Sequence, residues 1–95
     1  MKLLEVLPEL VSDLESPLAH LGRPDLIEQL RQAELEAWAY DEMADTTTLR
    51  LSGEEPAELL SLYDEAGVNL EMDTHGRLCL IEVLDGKALA RRLEG

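Results

Sequence analysis

The chain has no phenylalanine, one tryptophan and two tyrosines among its 95 residues. Because large rings usually supply much of a core, the interior must be built mainly from leucine, with smaller aliphatic residues between the leucines. Leucine packs well on helices but defines the shape of a core less sharply than rings do. A chain of this length buries only about 60–65% of its unfolded surface. We therefore expect a modest core that would gain from a partner surface.

Cysteine and histidine are also scarce, with one cysteine and two histidines. The lone Cys79 cannot form an internal disulfide, which excludes an extracellular disulfide scaffold. It lies in the most apolar stretch, where we expect a buried packing residue. His20 precedes a predicted helix end and His75 lies in a predicted turn, so we expect both on the surface. Two histidines are too few for the usual zinc site, and we predict no metal-binding residue and no cofactor.

Positive charge is the third shortage: eight basic residues stand against 21 acidic ones, for a formal charge of −13. Binding to DNA, RNA or anionic membranes needs clustered lysine and arginine, so we predict no direct nucleic-acid partner and no membrane partner. Two interpretations of the excess acid stay open. It can serve solubility alone, or it can serve docking to a basic protein partner.

Long hydrophobic runs are absent too, and nothing approaches the ~18 apolar residues of a membrane span. The apolar run at the start, Met1–Glu9, is interrupted by Glu5 and Glu9. A secretory signal needs a longer uncharged stretch and a small-residue cleavage site. These features predict a cytoplasmic protein.

Leucines recur at helical spacing over the first third of the chain, and we call Leu3, Leu7, Leu10, Leu14, Leu18 and Leu21 the leucine stripe. Prolines fit the first helical turn but interrupt a helix interior, so they should divide the stripe into short helices. We predict helices over residues 8–15, 17–21 and 24–33, within an N-terminal extension of residues 1–33. The stripe can be intramolecular core or the seam of a dimer.

The pattern changes to a period of two near Glu34, which is typical of strands. We predict about four strands over residues 34–40, 46–51, 68–72 and 77–84. Residues 57–63 suit a strand or a helical turn, and residues 64–67 read as a turn. The last strand is apolar on both faces from Leu78 to Val83, so it should be central and covered on each side. The N-terminal helices can cover one side, and the C-terminal segment or a second subunit the other.

The sequence therefore predicts an α+β fold for residues 1–95 as a single domain. Short N-terminal helices should pack on a small antiparallel β-meander, and a C-terminal helix should follow Asp85, which we expect to cap it. Arg91 and Arg92 lie in its last turn, where positive charge suits the helix dipole.

Carboxylates are the remaining candidates for chemistry. Asp41, Glu42 and Asp45 could offer oxygens to Mg²⁺ or Ca²⁺, but the spacing of a calcium loop is absent, and Glu54 and Glu55 lie in a polar loop. We expect all of them to be solvated. No phosphate-binding glycine loop, nucleophile elbow or paired-cysteine motif appears. We predict no catalytic residue and no enzymatic activity, and a site built across two subunits stays open.

Four segments in order carry a resemblance to a known family: Tyr40–Asp45, Leu49–Ser52, Gly67–Asp73 with Gly76–Leu78, and Ile81–Asp85. Together they resemble the small bacterial domain of unknown function 2283 over about residues 35–90. The resemblance implies a short β-meander closed by a helix and brings no catalytic assignment. The sequence departs from the family pattern at Thr46, Thr47 and Thr48, where more apolar residues are usual, and residues 1–33 lie outside it.

Three functions remain open on these grounds. The favoured one is a non-enzymatic, homo-oligomeric interaction or regulatory module, with a homodimer as the expected assembly. The second is an acidic partner-blocking protein, such as an antitoxin or a nucleic-acid mimic. The third is an enzyme with a carboxylate site at a subunit interface.

Overall fold

The computed structural model describes residues 1–95. The helices are α1 (Leu3–Val6), α2 (Pro8–His20), α3 (Pro24–Gln32), α4 (Tyr63–Ala66) and α5 (Lys87–Glu94). The strands are β1 (Ala37–Asp41), β2 (Thr46–Arg50), β3 (Glu58–Leu62), β4 (Val68–Met72) and β5 (Leu78–Leu84). The predicted α+β class, with N-terminal helices, an antiparallel sheet and a C-terminal helix, is confirmed, and the strands number five instead of about four.

Prolines decide where the N-terminal helices begin. Pro8 and Pro24 are the first residues of α2 and α3, because a proline fits the first helical turn. The predicted break at Pro17 is wrong, since α2 continues through it to His20. The missing N–H leaves only the carbonyl of Asp13 without its helical donor. Asp13 is exposed, so water can take the place of that bond. The short helix α1 forms where none was predicted.

The segment that suited either a strand or a helical turn contains both. Residues 58–62 form β3, which pairs with β4 from Glu58 opposite Met72 to Leu62 opposite Val68. Residues 63–66 then form α4 where a turn was predicted, and Gly67 ends it with a φ of +68°. A left-handed residue after a helix favours glycine, which has no Cβ to clash. Pairing with β4, a tertiary contact, decides the conformation of this segment.

The five strands form one antiparallel sheet in the order β1-β2-β5-β4-β3. A hairpin of β1 and β2 is joined to the consecutive strands β3, β4 and β5 through pairing of β2 with β5. β5 is therefore the central strand, as its apolar sequence predicts. Its residues 80–83 have a partner in both neighbouring strands.

The leucine stripe is core. Four of its members are completely or almost completely buried: Leu3, Leu7, Leu14 and Leu18. They belong to a cluster of 15 buried residues that also contains Leu49, Leu70 and Ile81 of the sheet. Leu10 is partly buried and packs against the cluster, and Leu21 has 48% of its surface exposed. The choice between core and dimer seam is settled by α1, α2 and α3 packing on one face of the sheet.

The C-terminal helix packs on that same face, which corrects the expectation that it could cover the opposite one. Leu89 and Leu93 of α5 contact the core cluster, and Arg92 Nη1 lies 3.4 Å from Glu9 Oε2 of α2. The expected cap is also wrong: Gly86 occupies the N-cap position and no side chain caps the helix. The opposite face of the sheet has no helix over it.

A β-bulge in β5 explains how the run of four apolar residues, Leu78–Ile81, fits a sheet with one covered face. Leu78 pairs with Met72, whereas Leu80 pairs with Glu71, so Cys79 is an extra residue between two rows. A bulge shifts the alternation of side chains by one. Leu78 and Ile81 therefore both join the core cluster, and of the residues beyond the bulge only Leu80, Glu82 and Leu84 alternate to the other side.

Candidate functional site

The uncovered surface of the sheet is the first candidate site, and we call it the open face. Strand alternation and register place thirteen side chains on it. None of them is buried. They are Ala37, Ala39, Asp41, Thr46, Thr48, Arg50, Leu59, Ser61, Asn69, Glu71, Leu80, Glu82 and Leu84.

Two rows cross the middle of the open face. In the first, Leu80 of β5 is flanked by Arg50 of β2 and Glu71 of β4, with Ala37 and Leu59 at the ends. Leu59 exposes 55% of its surface to solvent. This row therefore offers an apolar centre with a positive charge on one side and a carboxyl group on the other.

In the second row, Glu82 of β5 lies between Thr48 and Asn69, with Ala39 and Ser61 at the ends. Glu82 is thus the diagonal neighbour of Glu71, and their carboxyl groups are within hydrogen-bonding reach. Partial burial raises the pKa of Glu71, and the hydrogen bond and the charge of Glu82 raise it further. Two adjacent carboxyl groups at the centre of this face favour a shared proton or a cation.

No basic group of the chain forms a salt bridge with Glu71 or Glu82. Arg50 is the one lysine or arginine in the five strands. It is exposed, and it is absent from the four salt bridges, which use the N-terminus, Arg23, Arg31 and Arg92. The Oδ1 atom of Asn69 is buried and has no hydrogen-bond donor. Buried acceptors nearly always have a donor, so Asn69 Oδ1 is an exception to this rule within the sheet.

A second candidate is a cleft of about 1060 Å³ between α3 and the turn from β4 to β5. Its carboxylate, Asp73, accepts hydrogen bonds from the backbone N–H groups of Arg77 (3.0 Å) and His75 (2.8 Å). The bond from Arg77, followed by that from His75, lowers the pKa of Asp73 against the opposing effect of burial. Gln29 of α3 accepts from the N–H of Leu78 at 2.7 Å. Asp73 Oδ1 and Gln29 Oε1 thus hold the turn in place through bonds to backbone N–H groups.

The histidines and the cysteine lie where the sequence predicts. His20 and His75 are exposed, and they lie at the end of α2 and in the β4–β5 turn. Cys79 is fully buried. Burial, followed by the charges of Asp73 and Glu71, raises the pKa of its thiol. A thiol with a raised pKa has little of the thiolate form that attacks electrophiles or binds metal.

The acidic turn between β1 and β2 uses its carboxylates for local hydrogen bonds. Asp41 Oδ1 accepts from the N–H groups of Met43 (3.0 Å) and Ala44 (3.3 Å). The hydroxyl of Tyr40 donates to Asp45 Oδ1 at 2.7 Å, which together with burial and nearby charge raises the pKa of Tyr40 to about 12. Glu42 is exposed, as are Glu54 and Glu55 in the loop before β3. Nowhere do three or more His, Cys, Asp or Glu side chains gather as a metal site would require.

A comparison with protein families adds one finding. The family described as proteins of unknown function, DUF2283, matches residues 38–87. This is just over half of the chain. The chain belongs to the DUF2283 family. The resemblance over about residues 35–90 is thereby confirmed. Neither the curated proteins nor the solved structures contain a match to the chain.

The DUF2283 segment covers all five strands except Ala37 and ends at the first residue of α5. Almost the whole open face therefore belongs to the family segment. Helices α1, α2 and α3, which cover the other face, lie outside the segment. None of the helices has the length and apolar character that crossing a membrane requires.

Sequence reasoning missed Glu71 and Glu82 as a pair, although both strands were predicted. A signal was present, because Glu71 and Asn69 alternate with Val68, Leu70 and Met72 and so mark one face of β4 as polar. Which residues of β5 share that face depends on the bulge at Cys79, and the sequence pattern alone does not reveal the bulge.

Proposed function

We propose that this DUF2283 protein is a non-enzymatic, cytoplasmic interaction module that works as a homodimer. The observation that supports this most strongly is the open face, a complete side of the sheet with no helix over it. The partly buried Leu80 and Leu84 and the exposed Leu59 give this face apolar area at its centre and edge. A self-complementary patch of this kind is what a two-fold dimer uses.

The chemistry of the face also favours binding over catalysis. Most enzyme sites are concave pockets that surround a small ligand, whereas the open face is a sheet surface with short side chains such as Ala39, Thr48 and Ser61. Glu71 and Glu82 could take part in acid–base chemistry only if a second surface closed over them. A binding surface with a carboxyl pair at its centre is the simpler proposal.

Light scattering over a range of protein concentrations tests the proposal. We expect the mean mass to rise from the monomer value of 10.6 kDa towards twice that value. Leu80→Lys should hold the protein at the monomer mass, because it places a charge at the centre of the face. Leu21→Lys, a matched change at an exposed leucine away from the sheet, should leave the association intact. A wild type that stays monomeric at every concentration would contradict the proposal.

A basic partner protein is the second candidate, and it is favoured by the carboxyl pair that no cation of the chain neutralises. A guanidinium group placed between Glu71 and Glu82 could form charge-assisted hydrogen bonds with both. A short arginine-rich peptide, titrated by calorimetry at two salt concentrations, tests this function. Binding that Glu71→Gln with Glu82→Gln abolishes, and that the exposed Glu54→Gln with Glu55→Gln leaves unchanged, would support it. Binding that is equal in both variants would leave only non-specific attraction to the net charge.

A further inference from the structure

The strand order places two strands on each side of β5, so the open face of a second copy can cover the open face of the first. We propose that two copies pack open face to open face about a two-fold axis that runs along β5, so that Arg50 of each copy contacts the partner's Glu71. This arrangement deepens the homodimer proposed above and rests on it. The occupant of the open face is then a second copy of this chain.

The geometry follows from the register. β5 is central, with two strands on each side, so a two-fold axis along it places β2 over the partner's β4 and β1 over its β3. Arg50 and Glu71 are both direct neighbours of Leu80, on opposite sides. The rotation therefore exchanges their positions, and Arg50 comes to lie over the partner's Glu71 at two equivalent places. Packed sheets keep their strands within about 30° of each other, which this axis allows.

The remaining side chains of the two rows fit the same axis. Leu80 meets the partner's Leu80 at the centre, and Ala37 comes over the partner's Leu59. Thr48 comes over the partner's Asn69, so a hydroxyl group faces an amide side chain. The exposed and otherwise unpaired Arg50 acquires a carboxylate. The one basic residue of the strands thus finds a carboxylate partner in this arrangement.

Two features make the association weak and dependent on conditions. Five strands about 4.8 Å apart, each contributing about five residues of 3.4 Å, give a footprint of roughly 400 Å² per copy. That is about half of the ~800 Å² per partner in a standard stable interface. Each copy also carries a charge of −13, so the copies repel at long range, and salt screens this repulsion more than it screens close, partly buried pairs.

Glu82 lies on the axis and faces the partner's Glu82, beside the two Glu71 carboxyl groups. The charged groups around this point are these four carboxyl groups and the two Arg50 side chains. No other side chain in the two rows is ionisable. Two of the four negative charges are balanced by arginine. The other two, those of the Glu82 pair on the axis, repel each other, so Glu82→Gln should tighten the dimer at neutral pH.

A charge-swap experiment tests the register directly. Arg50→Glu places a glutamate over the partner's Glu71, and Glu71→Arg places an arginine over the partner's Arg50, so each variant alone should be monomeric. In an equimolar mixture, the Arg50→Glu chain presents two carboxylates to the two arginines of the Glu71→Arg chain. Both contacts are then complementary, and the mixture should form a heterodimer that sedimentation analysis detects. Lys87→Glu and Glu94→Arg, matched changes on exposed α5 residues, should remain as dimeric as wild type.

The outcomes separate the register from the dimer itself. If wild type is dimeric and both swap variants are dimeric too, this arrangement is overturned and the homodimer proposal stands. If wild type is monomeric at every concentration, at low and at moderate salt, both proposals fail. Circular dichroism checks that each variant is folded. If Glu71→Arg does not fold, the comparison of Arg50→Glu with Lys87→Glu still decides, because equal association of those two overturns the arrangement.

Discussion

Replacing Gly86 by alanine should destabilise the fold, and the reason is purely steric. Gly86 has a φ of −82° and a ψ of 4°, which alanine adopts without backbone strain. A Cβ at this position would lie 2.5 Å from both the backbone nitrogen and the Oγ1 atom of Thr47. The Gly86 carbonyl also accepts a hydrogen bond from that buried hydroxyl at 2.7 Å, and its N–H donates to the Asp45 carbonyl at 2.9 Å. The added methyl group must push the first residues of β2 away from the start of α5.

The size of the effect follows from this crowding. Overpacking a well-filled site costs typically 1–3 kcal/mol, and the shift also strains the Thr47 hydrogen bond, so we expect a loss of about 2–3 kcal/mol. For a domain of this size 1 kcal/mol corresponds to about 4–8 °C, which gives a fall of roughly 10–20 °C in melting temperature.

Thermal and urea unfolding, followed by circular dichroism, measure this loss. Gly53→Ala is the matched control, because no atom lies within 4 Å of its added Cβ and its φ lies outside the left-handed region. It should be neutral or slightly stabilising. Adding Thr47→Ala to Gly86→Ala removes the contact with Oγ1 but leaves those with the backbone nitrogen and the Cβ of residue 47, so it should not restore stability. Equal melting of Gly86→Ala and Gly53→Ala would refute the reasoning.

Three further predictions concern the core, the carboxyl pair and the net charge. Leu14→Asp should unfold the monomer, because it places an unpaired charge at a fully buried position. Ser12→Asp, on the exposed side of α2, should leave the circular dichroism spectrum unchanged. A folded Leu14→Asp monomer would contradict the core assignment. Partial burial and Glu82 raise the pKa of Glu71, so the folded state binds this proton more tightly than the unfolded state does. The stabilisation is complete below the unfolded pKa and declines as the pH rises through the folded pKa. Glu71→Gln should therefore raise the melting temperature of dilute protein at neutral pH and have little effect below the ordinary glutamate pKa. A lower melting temperature of this variant at neutral pH would count against the prediction. Melting temperature should also rise from low to moderate sodium chloride, because salt screens the repulsion among 21 acidic residues, and a flat or falling curve would show that local ion pairs dominate.

The local patterns of the sequence determined most of the elements. Alternation over Val68–Met72 predicted β4 with its observed bounds, and proline at Pro8 and Pro24 marked the starts of two helices. These signals are local, because the period of a side-chain pattern and the fit of proline to a first turn depend on neighbours a few residues away. The break predicted at Pro17 is wrong because the prediction used this local signal alone. Packing of Leu14 and Leu18 against the sheet holds α2 together across a residue that would interrupt an isolated helix.

Only the tertiary structure decided which surface is available for a partner. The apolar run of β5 predicted a central strand, yet it did not show that all the helices, α5 included, lie on one side of it. The position of Glu82 depends on a single residue. Without the bulge at Cys79, Glu71 would pair with residue 79 and Glu82 with Val68 on the helix-covered face. The bulge shifts the register by one, so Glu82 pairs with Asn69 and lies beside Glu71 on the open face. A strand pattern determines which residues share a side, whereas pairing between distant segments determines which sides come together.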